Sequence, residues 1–145
     1  MNRILTIYLD TCCYSRLFDG KASPEVTAEA ERIRHIMRNG FSGRYIIVGS
    51  DIVTTEIRKN PDVKERRETE SLYNATIRGE APALPQRTTR AKDLQLRGLK
   101  EMDALHLAAA EAMGADYLLT VDKEFLKKAS RPNFTTVNVI NPIDF

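Results

Sequence analysis

The stretch Arg3-Ile4-Leu5-Thr6-Ile7-Tyr8-Leu9-Asp10 decides how the rest of the chain is read. Its apolar residues are nearly continuous, the pattern of a strand buried on both faces, as in a parallel sheet covered by helices above and below. Asp10 closes the run, and Asp10-Thr11 is expected to start a turn. A carboxylate at the edge of a buried element must be solvated, paired with a base or bound to a cation. Three further acids stand in similar places. Asp122 closes Tyr117-Leu118-Leu119-Thr120-Val121, Glu56 follows the strand-like Tyr45-Ile46-Ile47-Val48 by about two helical turns, and Asp103 opens an alanine-rich helix. Ligands of open α/β sheets bind beyond the carboxyl ends of the strands, so Asp10, Glu56, Asp103 and Asp122 are expected to converge on one divalent-metal site.

Working outward, Ser23-Pro24-Glu25 is a helix start. Val26, Ala30, Ile33 and Met37 then repeat at helical spacing until Asn39-Gly40 stops the helix. Tyr45 to Gly49 reads as a second strand, and Ser50 or Asp51 can cap a helix that carries Glu56 inward and Arg58 and Lys59 outward. Asn60-Pro61 opens a heavily charged helix with the thin apolar face Val63, Leu72, Tyr73 and Ile77, which is expected to be peripheral. Gly79 to Thr88, with Pro82 and Pro85, reads as a loop. A short helix with Ala91 and Leu94 follows, and Gly98 separates it from a helix over about Glu101 to Met113 that ends at Gly114. Asp116 to Val121 is a third strand, Lys123 to Ala129 a short helix and Thr135 to Ile140 a last strand. This alternation implies one three-layer α/β/α domain over residues 1–145, with a mainly parallel sheet of four or five strands.

A length of 145 residues suffices to bury a core without staples. Cys12 and Cys13 are adjacent, with Cα atoms about 3.8 Å apart, too close for ordinary disulfide geometry and without zinc-ligand spacing. Reduced thiols, the absence of a signal-peptide pattern and the absence of an apolar run near 18 residues imply a soluble cytoplasmic protein with no membrane association. A formal charge of +2 does not by itself mark a nucleic-acid partner. Arg87, Arg90, Lys92, Arg97 and Lys100 place five positive charges in fourteen residues, interrupted by Asp93 alone. Such a run is more readily a solvated helix face than a phosphate track.

Magnesium and manganese take oxygen ligands and are usually held by a few carboxylates together with substrate phosphate. Four clustered acids would repel one another without a cation, and the cation would neutralise charge that builds on a phosphodiester oxygen during in-line attack. Phosphodiester hydrolysis is the chemistry that fits.

Four pieces of the chain resemble, in order and spacing, those of the PIN-domain family of metal-dependent ribonucleases, which includes the toxins of many toxin–antitoxin pairs. They are Tyr8-Leu9-Asp10-Thr11, Ser50-Asp51-Ile52-Val53-Thr54-Thr55-Glu56-Ile57, Met102-Asp103-Ala104-Leu105-His106-Leu107-Ala108-Ala109-Ala110, and the run from Ala115 to Phe125. The resemblance implies an Mg²⁺- or Mn²⁺-dependent endoribonuclease acting on RNA. Asp10, Glu56 and Asp103 match its acidic triad and Asp122 its fourth acid. Thr120 matches a hydroxyl that braces that last acid, and Thr11 a hydroxyl beside the first. A homodimer and a small antitoxin that covers the site are also implied. Cys12 and Cys13 depart from the small polar residues that many members carry after Thr11, and the stretch from Asn60 to Leu99 matches no family motif.

Blander readings stand beside these. An isolated strand-end Asp10 would only cap a turn, and Asp103 in a first helical turn is stabilised by the macrodipole without any function. His106, one turn after Asp103 among alanines and leucines, reads as a hydrogen-bonded packing residue rather than a base. Asp116 caps or pairs at the opposite strand end from Asp122, roughly 20 Å away for six residues of strand. Arg58, Lys59, Arg90 and Arg97 are candidates to meet RNA phosphates. A silent domain of the same fold that binds nucleic acid or protein is the alternative to a nuclease. A phosphotransfer domain fits poorly, since position 12 is Cys and Asn2-Arg3 offers no acidic pair.

Overall fold

The computed structural model describes residues 3–20 and 22–145. Five strands, β1 (Leu5–Leu9), β2 (Tyr45–Ser50), β3 (Glu80–Ala81), β4 (Tyr117–Leu119) and β5 (Asn138–Ile140), form one sheet in the order β3-β2-β1-β4-β5, and every pairing is parallel. Seven helices connect them: α1 (Thr11–Arg16), α2 (Pro24–Phe41), α3 (Asp51–Arg58), α4 (Val63–Thr76), α5 (Pro85–Leu96), α6 (Glu101–Ala112) and α7 (Lys123–Ala129). A short 3-10 turn, Pro142–Asp144, ends the chain. Ile7, Tyr8, Leu9, Ile47, Val48, Leu118 and Leu119 are buried, as consecutive residues must be in a sheet covered on both sides.

Connections from β1 to β2 and β3 step one way across the sheet, and those to β4 and β5 step the other. Right-handed crossovers then put α1–α4 on one face and α5–α7 on the other. The direction reverses between β1 and β4, so the crevice of this fold opens beyond Leu9 and Leu119.

Several local expectations hold. Ser23 caps α2, its hydroxyl accepting from the Val26 amide at 3.1 Å, and α7 spans Lys123–Ala129 as read. Others are corrected. Asp10-Thr11 starts no turn, because α1 begins at Thr11 directly after the strand. Helix α2 runs through Asn39-Gly40 to Phe41. Gly40 lies within the helix because a Cβ there would collide with the Ile47 side chain of β2. The segment read as a loop from Gly79 to Thr88 contains β3 and the start of α5. The pairing of β3 is two residues long, Gly49 with Glu80 and Ser50 with Ala81, and Pro82 follows without an amide to extend it.

Helix α4 is not peripheral at its C-terminal half. Tyr73 is fully buried, packs edge-on against Tyr14 with ring centroids 5.4 Å apart, and donates its hydroxyl to the Ser50 carbonyl at 3.1 Å. Its ring lies so close over β2 that only glycine fits at position 49. The strands expected at Asp116 to Val121 and Thr135 to Ile140 shorten to Tyr117–Leu119 and Asn138–Ile140. Asp116 stands before β4, pairs with Arg3 and accepts the Thr6 amide at 2.8 Å.

The three arginines of the basic cluster before α6 are used internally. Arg87 is buried and bonds to Asp51 at 2.7 Å and to the Ala81 carbonyl at 3.2 Å. Arg90 grips both oxygens of Glu111, at 2.7 and 3.0 Å. Arg97 stacks on Phe134 and donates to its carbonyl at 2.9 Å. Arg58 pairs with Glu70. Of the four residues suggested for RNA phosphates, Lys59 alone has neither an ion pair nor a side-chain hydrogen bond among the described residues, since Arg58 and Arg90 are paired and Arg97 is bonded to backbone carbonyls.

Candidate metal centre

Asp10 leaves β1 as the residue before α1, and its side chain makes no capping bond to that helix. It is 6 % exposed. The Thr120 hydroxyl, just after β4, donates to its Oδ2 at 2.8 Å, and Cys12 Sγ lies 3.4 Å from the same oxygen. The Thr120 Oγ1 also accepts the Asp122 amide at 3.1 Å. That one hydroxyl therefore ties the ends of β1 and β4 together, holding the first acid by its side chain and the last acid by its backbone.

Glu56 reaches the same place from α3. Thr11 Oγ1 donates to its Oε1 at 2.7 Å, and His106 Nε2 contacts that oxygen as well. The same nitrogen lies 3.3 Å from Asp10 Oδ1. Thr11 thus holds Glu56 rather than Asp10, the acid it follows in sequence. One donor atom from each of Asp10, Glu56 and His106 lies within 4.8 Å of the others. Burial acts to raise the Glu56 pKa, but the hydrogen bond and charge of His106, with the Thr11 hydroxyl and the Lys59 charge, hold it below the ordinary range.

Asp103 stands in the first turn of α6 and Asp122 at the N-cap of α7, whose Oδ1 accepts the Glu124 and Phe125 amides at 2.9 and 3.2 Å. The pKa of Asp103 is raised to about 6, first by burial and then by the charges of Asp10 and Asp122. Of the four acids expected from the sequence, Asp10 and Glu56 come together around His106 Nε2, while Asp103 and Asp122 lie outside that group of ligand atoms and are linked to it by the charges of Asp10 and Asp122 acting on Asp103. Lys100 forms an ion pair with Glu124 at 3.2 Å.

His106, which by pattern belongs to the packed face of α6, stands in the site. It is buried, as a packing residue would be, yet its hydrogen bonds go to Tyr8 and Glu56, with Asp10 Oδ1 at 3.3 Å from the same Nε2. Tyr8 was read only as strand core. Its hydroxyl lies 2.7 Å from His106 Nδ1 and 2.6 Å from Ser50 Oγ, which is why Ser50, the N-cap residue of α3, makes no side-chain cap. A signal was available for both. Tyr8 precedes Asp10 by two and so shares its face of the strand, and His106 follows Asp103 by three on α6.

Two carboxylates, with a third and fourth nearby and no Lys or Arg among them, form a set that a hard divalent cation fits. A cation with ligands at about 2.1 Å in octahedral geometry places neighbouring donors about 3 Å apart. The 3.3 Å between Asp10 Oδ1 and His106 Nε2 is close to that spacing.

A search of curated protein sequences finds no match. Among solved structures, the chain is similar to VapBC-1 from nontypeable Haemophilus influenzae, at 16 % identity over 95 % of this chain and 98 % of that one, TM-score 0.61. It is also similar to FitAcB from Neisseria gonorrhoeae, at 14 % identity over 96 % and 99 %, TM-score 0.58. VapBC2 from Rickettsia felis, solved bound to a DNA fragment from its promoter, matches at 16 % identity over 93 % and 98 %, TM-score 0.57. At these identities the likeness shows the fold. The sequence profile of the PIN domain matches residues 7–131, and the chain belongs to the PIN domain family.

Proposed function

We propose that this protein is an Mg²⁺- or Mn²⁺-dependent endoribonuclease that hydrolyses RNA phosphodiester bonds, and that it is the toxin of a toxin–antitoxin pair. One observation carries the reading: in a PIN-family chain, ligand atoms of Asp10, Glu56 and His106 lie within 4.8 Å of one another, while burial and then the charges of Asp10 and Asp122 raise the pKa of Asp103. Asp10, Glu56, Asp103 and Asp122 would hold the cation, directly or through water. When bound, the cation neutralises charge developing on the phosphodiester and activates the attacking water.

The chain's own part is positioning. Thr120 fixes Asp10 and Thr11 fixes Glu56, so two acids from different elements are held before any ligand arrives. Asp103, whose pKa is raised to about 6 by burial and then by the charges of Asp10 and Asp122, is stabilised as a carboxylate when a cation offsets those charges. Lys59 and Lys100, both exposed and close enough to the acids to act on them or feel their charge, would meet flanking phosphates. The similarity to VapBC and FitAcB structures supports an antitoxin partner, and the family resemblance supports a homodimer.

The test is cleavage of defined RNAs by the purified protein with Mg²⁺ or Mn²⁺, against EDTA and against Asp10→Asn. Cleavage should fall by on the order of 100-fold or more in both controls. Equal RNA loss with Asp10→Asn would remove the nuclease, and binding without cleavage would favour a silent nucleic-acid-binding domain.

A further inference from the structure

The strongest unassigned group in the molecule is the imidazole of His106. Its 1 % exposure makes it one of the few fully buried titratable side chains, and its ring is fixed from behind. Nδ1 lies 2.7 Å from the Tyr8 hydroxyl, which lies 2.6 Å from Ser50 Oγ, and the Tyr8 ring packs edge-on at 5.7 Å between centroids. With Nδ1–H donating to Tyr8 and Tyr8 donating on to Ser50, Nε2 is the nitrogen turned to the acids: it shares a proton with Glu56 while no cation is bound, and a cation that displaces that proton takes its lone pair. A polar partner behind one ring nitrogen is what orients a metal-ligating histidine and sets its tautomer.

The other nitrogen faces the acids. Nε2 contacts Glu56 Oε1 and lies 3.3 Å from Asp10 Oδ1. Among the described residues it is the only cationic-type partner within 4 Å of either carboxylate. A ring nitrogen and two carboxylate oxygens converging in one place require a positive charge among them, which an imidazolium proton supplies before any cation binds and a bound cation can replace. The geometry points to His106 Nε2 as a third ligand of the bound cation, beside Asp10 and Glu56, making the centre a mixed nitrogen–oxygen site that prefers Mn²⁺ to Mg²⁺. Mn²⁺ accepts an imidazole nitrogen among oxygen ligands more readily than Mg²⁺, which dehydrates reluctantly and keeps its waters, so the nitrogen is a selectivity element. This rests on the proposal that the acids bind a divalent cation.

Electron-spin-echo envelope modulation of Mn²⁺-loaded protein tests it without reference to cleavage. The chain has two histidines, and His35 is exposed on α2, bonded to Asn39. Imidazole ¹⁴N modulation should appear on bound Mn²⁺, persist in His35→Gln and vanish in His106→Gln. Labelling the unsubstituted protein with ¹⁵N-histidine should change the modulation pattern, which keeps the test independent of whether His106→Gln folds. His106→Gln should also weaken Mn²⁺ about 10-fold or more while changing Mg²⁺ affinity less. Mn²⁺ that is lost in Asp10→Asn but shows no histidine modulation would overturn the ligand and leave His106 as a hydrogen-bonding positioner of Glu56. Mn²⁺ binding that Asp10→Asn leaves unchanged would overturn the metal centre as well.

Discussion

Asp103 is where the cost of gathering acids is measurable. Its pKa rises from 3.8 to about 6, through burial and then the charges of Asp10 and Asp122. An acid with a raised folded-state pKa contributes stability that is fully present below the unfolded value and is lost as pH climbs through the folded one. In EDTA, the stability Asp103 contributes should therefore decline between about pH 4 and pH 6. Asp103→Asn should melt higher than the unsubstituted protein at pH 7, by about 2–4 °C once solvent screening of this half-buried group reduces the effect to about 1 kcal/mol. The two melting curves should approach each other below pH 4, and a variant that melts lower at pH 7 without metal would contradict the repulsion. Asp10 and Asp122 stood out in the sequence, because each carboxylate closes an apolar run. Their hydrogen-bond partners did not. Thr120 and Asp10 are 110 residues apart, and no local pattern says which hydroxyl will face which acid. His106 hid among alanines and leucines for the same reason: its burial was readable and its partners were not.

At the level of elements, periodicity decided what could be read. Helix α2 declares itself by a cap, a proline and an apolar stripe, and β1 by an unbroken run. Strand β3 has two residues, too short to show any period. The apolar face of α4 is thin because most of its contribution comes from one side chain, Tyr73, whose burial depends on Gly49 in a distant strand. That contact yields a prediction. Gly49→Ala drives a methyl group into the Tyr73 ring where both backbones are fixed, and should destabilise the fold by about 1–3 kcal/mol in chemical denaturation. A neutral effect would mean that α4 can move off the sheet. The same variant with Tyr73→Phe should recover little, since the ring and not only the hydroxyl occupies the space.

For the whole molecule, the sheet order and its reversal point were within reach of simple rules, since alternating strands and helices with right-handed crossovers leave few topologies. Charge was harder to place. The basic run before α6 resembles a binding track in sequence, yet Arg87, Arg90 and Arg97 are each committed to internal partners, so they act as clasps between segments. Binding of a cation to the folded chain alone should raise its stability as a unit. At 100 times its dissociation constant, Mn²⁺ should add about 2.7 kcal/mol, or about 5–10 °C in melting temperature. Asp10→Asn should abolish that gain, and a gain of equal size in the variant would place the ion elsewhere. No helix among the described residues is long and apolar enough to cross a membrane.

The borders of the sheet carry one last consequence. With two residues at one margin and three at the other, neither lateral strand offers a backbone template long enough for an incoming chain to join the ladder. Recognition by strand donation is thereby disfavoured at either margin.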